Sequence, residues 1–310
     1  MRTPILLRLA LCMLAACWAA PVPGIQEKPG ILEAPAAPKT RAEFLNDAFK
    51  LIADGKFAAA RVELDRAAAM GEGPCGECLL GLSHVYASEK KWDQAVDAAQ
   101  RAIPLLKSPG LLARAYNQLG IAAMALRTPE GLAKAEEAFV RGAGLGGGWG
   151  AMARYNLAEV LFRRRSWAEA AEAAGSYLKE AGPDGMALKE ARFLLCRSRT
   201  NMAALGTPAP AEDSEPLRLE GGVKRPEILF HTKPVYPEGA RRAKTQGTVI
   251  LETIVDQDGC VRDVKVLKPQ PEGLTEEAVR AVRQWIFSPA TLDGKPVKVY
   301  YVLTVNFAVG

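Results

Sequence analysis

Gly247-Thr248-Val249-Ile250-Leu251-Glu252-Thr253-Ile254-Val255-Asp256-Gln257-Asp258-Gly259-Cys260-Val261-Arg262-Asp263-Val264-Lys265-Val266-Leu267-Lys268 decides the fold of the carboxy-terminal part of this chain. Two β-branched runs, 247–255 and 261–268, flank an Asp-Gly turn, a hairpin signal because these residues reach the left-handed conformations that tight turns need. Further on, Leu274, Ala278, Ala281, Val282 and Trp285 recur at helical spacing and predict a helix over 274–285 with one apolar stripe. The segment 297–307 then alternates. Val297, Val299, Tyr301, Leu303, Val305 and Phe307 point one way; Lys298, Tyr300, Val302, Thr304 and Asn306 point the other. A β-β-α-β order is too short for a sandwich, so the helix is expected to cover one face of a small antiparallel sheet, an α+β arrangement. The lead-in Lys233-Pro234-Val235-Tyr236-Pro237 reads as extended, since each proline disfavours helix in the residue before it.

The 310 residues favour two folded units over one, and 49% apolar with 24% charged residues allows a sizeable core. A net charge of +5 without a basic stripe interleaved with aromatics argues against nucleic acid as a partner.

Residues 41–205 are rich in Ala, Leu and Glu, which favours helix throughout. Similarity recurs with a period of about 34 residues. Phe57-Ala58-Ala59-Ala60 with Leu64 and Ala67 returns as Trp92-Asp93-Gln94-Ala95 with Ala99 and Ala102, and as Trp167-Ala168-Glu169-Ala170 with Ala174 and Tyr177. The preceding helices carry Ala48 with Leu51, Ser83 with Tyr86, and Ala158 with Leu161; a looser copy holds Tyr116, Leu119 and Gly120, then Ala135, Phe139 and Gly142. This pattern resembles the tetratricopeptide repeat, an all-α solenoid in which small residues let paired helices approach. About four repeats and a capping helix at 186–203 account for the region. The resemblance implies peptide or protein ligands on the array. Residues 206–226, with Thr207-Pro208-Ala209-Pro210 and Glu212-Asp213-Ser214-Glu215-Pro216, read as a mobile linker to a second unit at 227–310.

The chain start has the layout of an export leader, residues 1–24: Arg2 and Arg8 precede an apolar run over 9–20 whose 12 residues fall short of the ~20 that cross a bilayer as a helix. Leu14-Ala15-Ala16-Cys17 resembles a bacterial lipobox, which implies cleavage before Cys17 and lipid on that cysteine. Cleavage after Ala20 and retention as an anchor are the alternatives. Residues 25–40 read as a tether. The expected place is the bacterial cell envelope, exported to the periplasm, with membrane contact through a lipid or amino-terminal anchor.

Little in the sequence points to bond-making chemistry, and no catalytic residue, cofactor or metal is assigned. Cys75-Gly76-Glu77-Cys78 sits in a Gly- and Pro-containing turn between helices, without the βαβ unit of a thioredoxin-like catalyst, so a local structural disulfide is expected. Cys196 reads as buried in a repeat helix, and Cys260 as exposed after the hairpin turn. With two histidines, His84 and His231, and no arranged Asp or Ser, neither a triad nor a zinc site can be built. Gly144-Leu145-Gly146-Gly147-Gly148 lacks the strand and Lys-Ser/Thr of a phosphate loop, and Asp256-Gln257-Asp258-Gly259 lacks the late Gly and bidentate Glu of a calcium loop.

A second resemblance covers about a quarter of the chain. Tyr236-Pro237 followed by Ala240 and Ala243, Gly247 opening the first strand, Asp258-Gly259, and Val279-Arg280-Ala281-Val282-Arg283-Gln284-Trp285-Ile286-Phe287-Ser288-Pro289-Ala290 resemble the TonB carboxy-terminal domain in order and spacing. The resemblance implies a binding protein, not an enzyme, that adds an extended segment of a partner to an edge of its sheet, outer-membrane transporters being the best-understood partners. The residues it places at such an edge are Lys233, Pro234, Val235, Tyr236 and Pro237 and, on the last strand, Lys298, Tyr300, Val302 and Thr304. Transducers of that family carry an uncleaved membrane helix and a proline-rich rod, where this chain has a short apolar run and helical repeats. A lipid-anchored envelope scaffold without energy transduction is therefore the alternative reading.

Overall fold

The computed structural model describes residues 39–71, 73–182, 185–206 and 214–308. The leader, Cys17 and the tether up to residue 38 lie outside the described residues. Four helical hairpins come first: α1 (Arg41–Ala53) with α2 (Phe57–Ala68), α3 (Gly76–Ser88) with α4 (Trp92–Ala102), α5 (Pro109–Ala125) with α6 (Pro129–Gly144), and α7 (Gly147–Arg163) with α8 (Trp167–Ala181). A single helix, α9 (Leu188–Ala204), follows. Thr40 opens α1 with a capping box closed by Glu43, and the Thr128 hydroxyl accepts the Gly131 amide at the head of α6. Inside each hairpin the turn carries one left-handed residue at the same place, Gly55 (φ 72°), Lys90 (φ 60°), Arg127 (φ 59°) and Arg165 (φ 63°). At the three non-glycine positions that conformation costs about 1 kcal/mol each, outweighed by the packing of the helix pair it closes.

The small residues of the repeat pattern sit where the helices touch. Ala48, Ala60, Ala67, Ala95, Ala99, Ala158, Ala170 and Ala174 are fully buried. Gly120 lies so close to α6 that a Cβ there would stand 2.4 Å from the Phe139 ring, which is why this position takes no side chain. Ser83 is buried with its hydroxyl donating to the Ala95 carbonyl at 2.7 Å, tying α3 to α4.

The chain forms two compact units that divide between Val160 and Leu161, within α7. The packing boundary therefore falls well before the covalent linker of 206–226, and α8 and α9 belong to the second unit. The cause is a seam between α9 and the sheet that follows it, described below.

In the second unit, β2 (Gly247–Val255) lies between β3 (Val261–Lys268) and β7 (Val299–Phe307), all antiparallel, giving the order β3-β2-β7. Helix α11 (Leu274–Val282) covers one face, burying Leu274, Ala278 and Val282 against Val249, Leu251, Val255, Leu303 and Val305. A short helix α10 (Glu238–Ala243), the pair β1 (Ile228–Phe230) with β4 (Ile286–Phe287), and the hairpin β5 (Ala290–Leu292) with β6 (Lys295–Val297) complete the unit. The turn before β3 needs its glycine: at Gly259 (φ 88°) a Cβ would meet the Phe287 carbonyl oxygen at 1.9 Å.

Two expected boundaries move. The helix ends at Val282, and Trp285 lies beyond it with its indole Nε1 donating to the Thr232 carbonyl at 3.0 Å. The last strand begins at Val299, because 295–297 turn back as the return arm of the β5–β6 hairpin around Asp293 (φ 52°) and Gly294 (φ 77°).

Candidate functional site

β7 is an outer strand of its sheet, and its residues alternate in backbone direction as well as in side chain. The Lys298 carbonyl and Tyr300 amide point away from β2, since both bond to Leu217 on the far side. By that alternation Val302, Thr304 and Asn306 turn their amides and carbonyls the same way, while Val299, Tyr301, Leu303, Val305 and Phe307 bond to β2. Among the described residues no backbone partner lies opposite Val302, Thr304 or Asn306 on that outer side. Their side chains share the face away from α11, and Val302 is 52% exposed. An apolar side chain held on an open edge beside unpaired amides is what an added strand would cover.

The lead-in residues are placed differently. Tyr236 stacks edge-on against Phe307 with ring centroids 5.7 Å apart, and its hydroxyl donates to the Thr245 carbonyl, so the side chain is committed to the fold. Pro237 caps α10, and Pro234 is half-buried. Lys233 and Val235 are exposed, Val235 by 66%. The structure thus brings the lead-in to the far end of β7 through Tyr236 and Phe307, and does not set it alongside Tyr300.

Residues read as linker carry structure here. Leu217 forms a parallel bridge to Val299, Lys224 an antiparallel bridge to Thr291, and Leu219 and Val223 pack into the core. Pro216, which biases Glu215 to an extended backbone, was the available local signal.

Both cysteine pairs among the described residues are disulfide-bonded. Cys75 and Cys78 are joined, and they stand at the head of α3 rather than in a turn between helices: Cys75 is the N-cap and its sulfur accepts the Cys78 amide at 3.1 Å. Cys260 is buried, not exposed, and is bonded to Cys196 of α9. Around that bond lies the seam. Arg192 donates to the Asp258 carbonyl at 2.7 Å, Arg197 to Gln284 Oε1 at 3.0 Å, and Arg199 pairs with Asp258 at 2.8 Å and Asp256 at 3.3 Å. Phe193 packs on Phe230 at 5.3 Å. Asp256 is fully buried and also accepts Arg262 Nε at 2.6 Å and the Asp258 and Cys260 amides. Burial pushes its carboxyl up from the usual range, and Arg262, the Cys260 amide and Arg199 work against that rise. In the first unit a shallow groove is lined by Gln100, Tyr116, Lys134 and Arg141. Among the described residues no group of three or more His, Cys, Asp or Glu could hold a metal ion, and no helix is long and apolar enough to cross a membrane.

Residues 232–309 match the family model of the Gram-negative bacterial TonB protein C-terminal domain. Among known proteins the chain is similar to Protein TonB of Vibrio cholerae, 33% identical over 28% of this chain and 39% of that protein. It is likewise similar to Protein TonB of Xanthomonas campestris, 40% identical over 24% and 34%, and of Yersinia enterocolitica, 31% identical over 35% and 41%. The chain therefore spans about two fifths or less of these relatives' length. A similar solved structure is the crystal structure of the APC/C hetero-tetramer Cut9-Hcn1, with a TM-score of 0.44 and 18% identity over 54% of this chain and 31% of that one. With the β-β-α-β core, the open outer strand and the match over 232–309 all falling on the same residues, the carboxy-terminal quarter of this chain is a TonB carboxy-terminal domain.

Proposed function

We propose that this chain is a TonB-like protein of the bacterial cell envelope that holds an extended segment of a partner protein by adding it to the outer edge of β7. Outer-membrane transporters are the partner class this reading favours. The helical hairpins serve as a second protein-binding surface, for which the Tyr116–Arg141 groove is the place to look. The observation that carries the reading is the run of outward amides at Val302, Thr304 and Asn306, unoccupied by any described residue, on the last strand of a TonB carboxy-terminal domain. Backbone bonds supply the affinity in such docking, and Lys233, Val235, Tyr300, Val302 and Thr304 select among guests. No reacting group takes part.

The alternative is a lipid-anchored scaffold that gathers envelope proteins without energy transduction. It is favoured by the helical hairpins that stand between the amino terminus and the binding domain.

The test is a pull-down from detergent-solubilised bacterial envelopes with the full chain and its Val302→Pro variant. Proline removes the outward amide of Val302, which stands opposite Glu252 in register, and spares the amides that face β2, so the variant is expected to lose the transporters the parent captures while keeping its circular dichroism. Equal capture by a folded variant counts against the Val302 amide as a docking donor, equal capture once the Thr304 and Asn306 amides are removed too counts against β7 addition, and co-purification of motor proteins separates the transducer from the scaffold.

A further inference from the structure

The outer edge of β7 is open only from Val302 onward. At its head the Leu217 amide donates to the Lys298 carbonyl at 2.8 Å, and the Tyr300 amide donates to the Leu217 carbonyl at 2.9 Å, the two bonds of a parallel bridge. Around it, Lys298 Nζ donates to the Ser214 carbonyl at 2.9 Å. The Arg218 guanidinium lies 4.3 Å over the Tyr300 ring and pairs with Glu252 of β2 at 2.6 Å. Residues 214–218 therefore stand against β7 in the position a guest strand would take.

They are held lightly. Leu217 is 39% exposed, and the Arg218–Glu252 pair is open to water on the arginine side, where such pairs contribute little. The anchored part comes later, at Leu219 and Val223 in the core and Lys224 against Thr291. Release of 214–218 would thus uncover the Lys298 carbonyl and Tyr300 amide without disturbing the buried face of the sheet.

We propose that residues 214–218 are a resident guest strand that occupies the head of the docking edge, and that a partner segment entering parallel to β7 must displace it. The resident also shows what the head accepts: an extended peptide with an apolar residue opposite Val299 followed by a basic one that covers Tyr300 and meets Glu252. This inference rests on the strand-addition reading of β7. Because the resident is tethered, its high local concentration keeps the head closed to weak guests.

The experiment uses the full chain and a labelled synthetic peptide of residues 214–220, Ser-Glu-Pro-Leu-Arg-Leu-Glu. Leu217→Pro removes the amide bonded to Lys298, and Arg218→Ala removes the cover on Tyr300; both residues lie at the surface. Leu217→Pro is expected to bind the free peptide at least tenfold more tightly than the parent chain and Arg218→Ala about threefold, both with faster hydrogen exchange at the Tyr300 amide and unchanged exchange at Val302. A peptide whose arginine is replaced by glutamate is expected to bind at least fivefold more weakly. Equal peptide binding by parent and variants, or a Tyr300 amide that exchanges equally in all three, overturns the proposal. So does a Tyr300 amide freed in the variants that still take no peptide. None of these readouts involves a transporter, so this inference and partner capture by β7 can fail separately.

Discussion

Helix α3 and the seam between α9 and the β2–β3 turn each combine a disulfide with a buried ionisable side chain, yet they do opposite things. Cys75 and Cys78 are three residues apart, so their bond fixes a conformation the helix start already favours. Cys196 and Cys260 are 64 residues apart, so theirs decides which parts of the chain fold together. The ionisable groups differ likewise. His84 on α3 is buried with a cation, Arg114, as its charged neighbour, and desolvation first, then that charge, push it down to about 3. Asp256 is buried among arginines and amides that each bond to it. The first region keeps a group neutral, whereas the second surrounds a carboxylate with donors. A buried network of the second kind adds less net stability than its bonds suggest, because desolvation of the charges offsets their attraction, yet removing one member is costly.

The largest effect is expected at the seam bond. Closing a loop of 64 residues' separation restricts the unfolded chain by about 4 kcal/mol, so Cys196→Ser with Cys260→Ser is expected to lower the stability of the second unit by that order. Hydrogen exchange of β2 amides reads it, and a change under about 1 kcal/mol would remove the distinction between the two bonds. Next comes Asp256→Ala, which leaves Arg262 and Arg199 without their shared acceptor and is expected to cost about 3 kcal/mol. Denaturant titration of the variant measures it. A near-neutral result would mean that Asp258 and solvent hold the arginines unaided.

How much of this was legible follows from the same contrast. The Asp-Gly hairpin, the apolar stripe of Leu274, Ala278 and Val282, and the alternation of β7 are short-range patterns, and the structure has them. The hairpin around Asp293-Gly294 carried the same two-residue signal, but Pro296 and the three-residue length of its arms hid the strands. Of the site, the outward residues Tyr300, Val302 and Thr304 could be read because backbone and side-chain directions share a period of two. Leu217 and Arg218 could not, since a single bridge leaves no periodicity in a segment rich in Pro, Glu and Asp. Cys196 with Cys260 was invisible for the reason its bond matters: the partners stand 64 residues apart on different elements, and no local pattern pairs them.

An acid titration sharpens the difference between the buried groups. With His84 near 3 in the folded chain against 6.5 unfolded, the unfolded state binds the proton first, so stability is full above about pH 6.5 and falls as pH drops toward about 3. At pH 5 the loss is about 2 kcal/mol relative to neutral pH. His84→Gln is expected to flatten that limb for amides of α3 and α4 in hydrogen exchange. An unaltered pH profile in the variant would show that His84 is not the group responsible.

The smallest effect is expected from Cys75→Ser with Cys78→Ser. A bond between residues three apart restricts the unfolded chain by about 2 kcal/mol at most on the same loop-entropy scale, and serine returns part of it. Cys75 is the N-cap of α3 and its sulfur accepts the Cys78 amide at 3.1 Å; a serine hydroxyl is the stronger acceptor and a preferred residue at that position. Burial of position 78, 1% exposed, limits the recovery, because that hydroxyl enters an apolar setting beside Leu64 and Val85 of the same cluster. The balance is a loss of about 1 kcal/mol in the first unit, read as a small shift of the denaturation midpoint, with capture by β7 unchanged. A loss as large as that of the Cys196→Ser, Cys260→Ser chain would mean that the local bond carries structure beyond the first turn of α3.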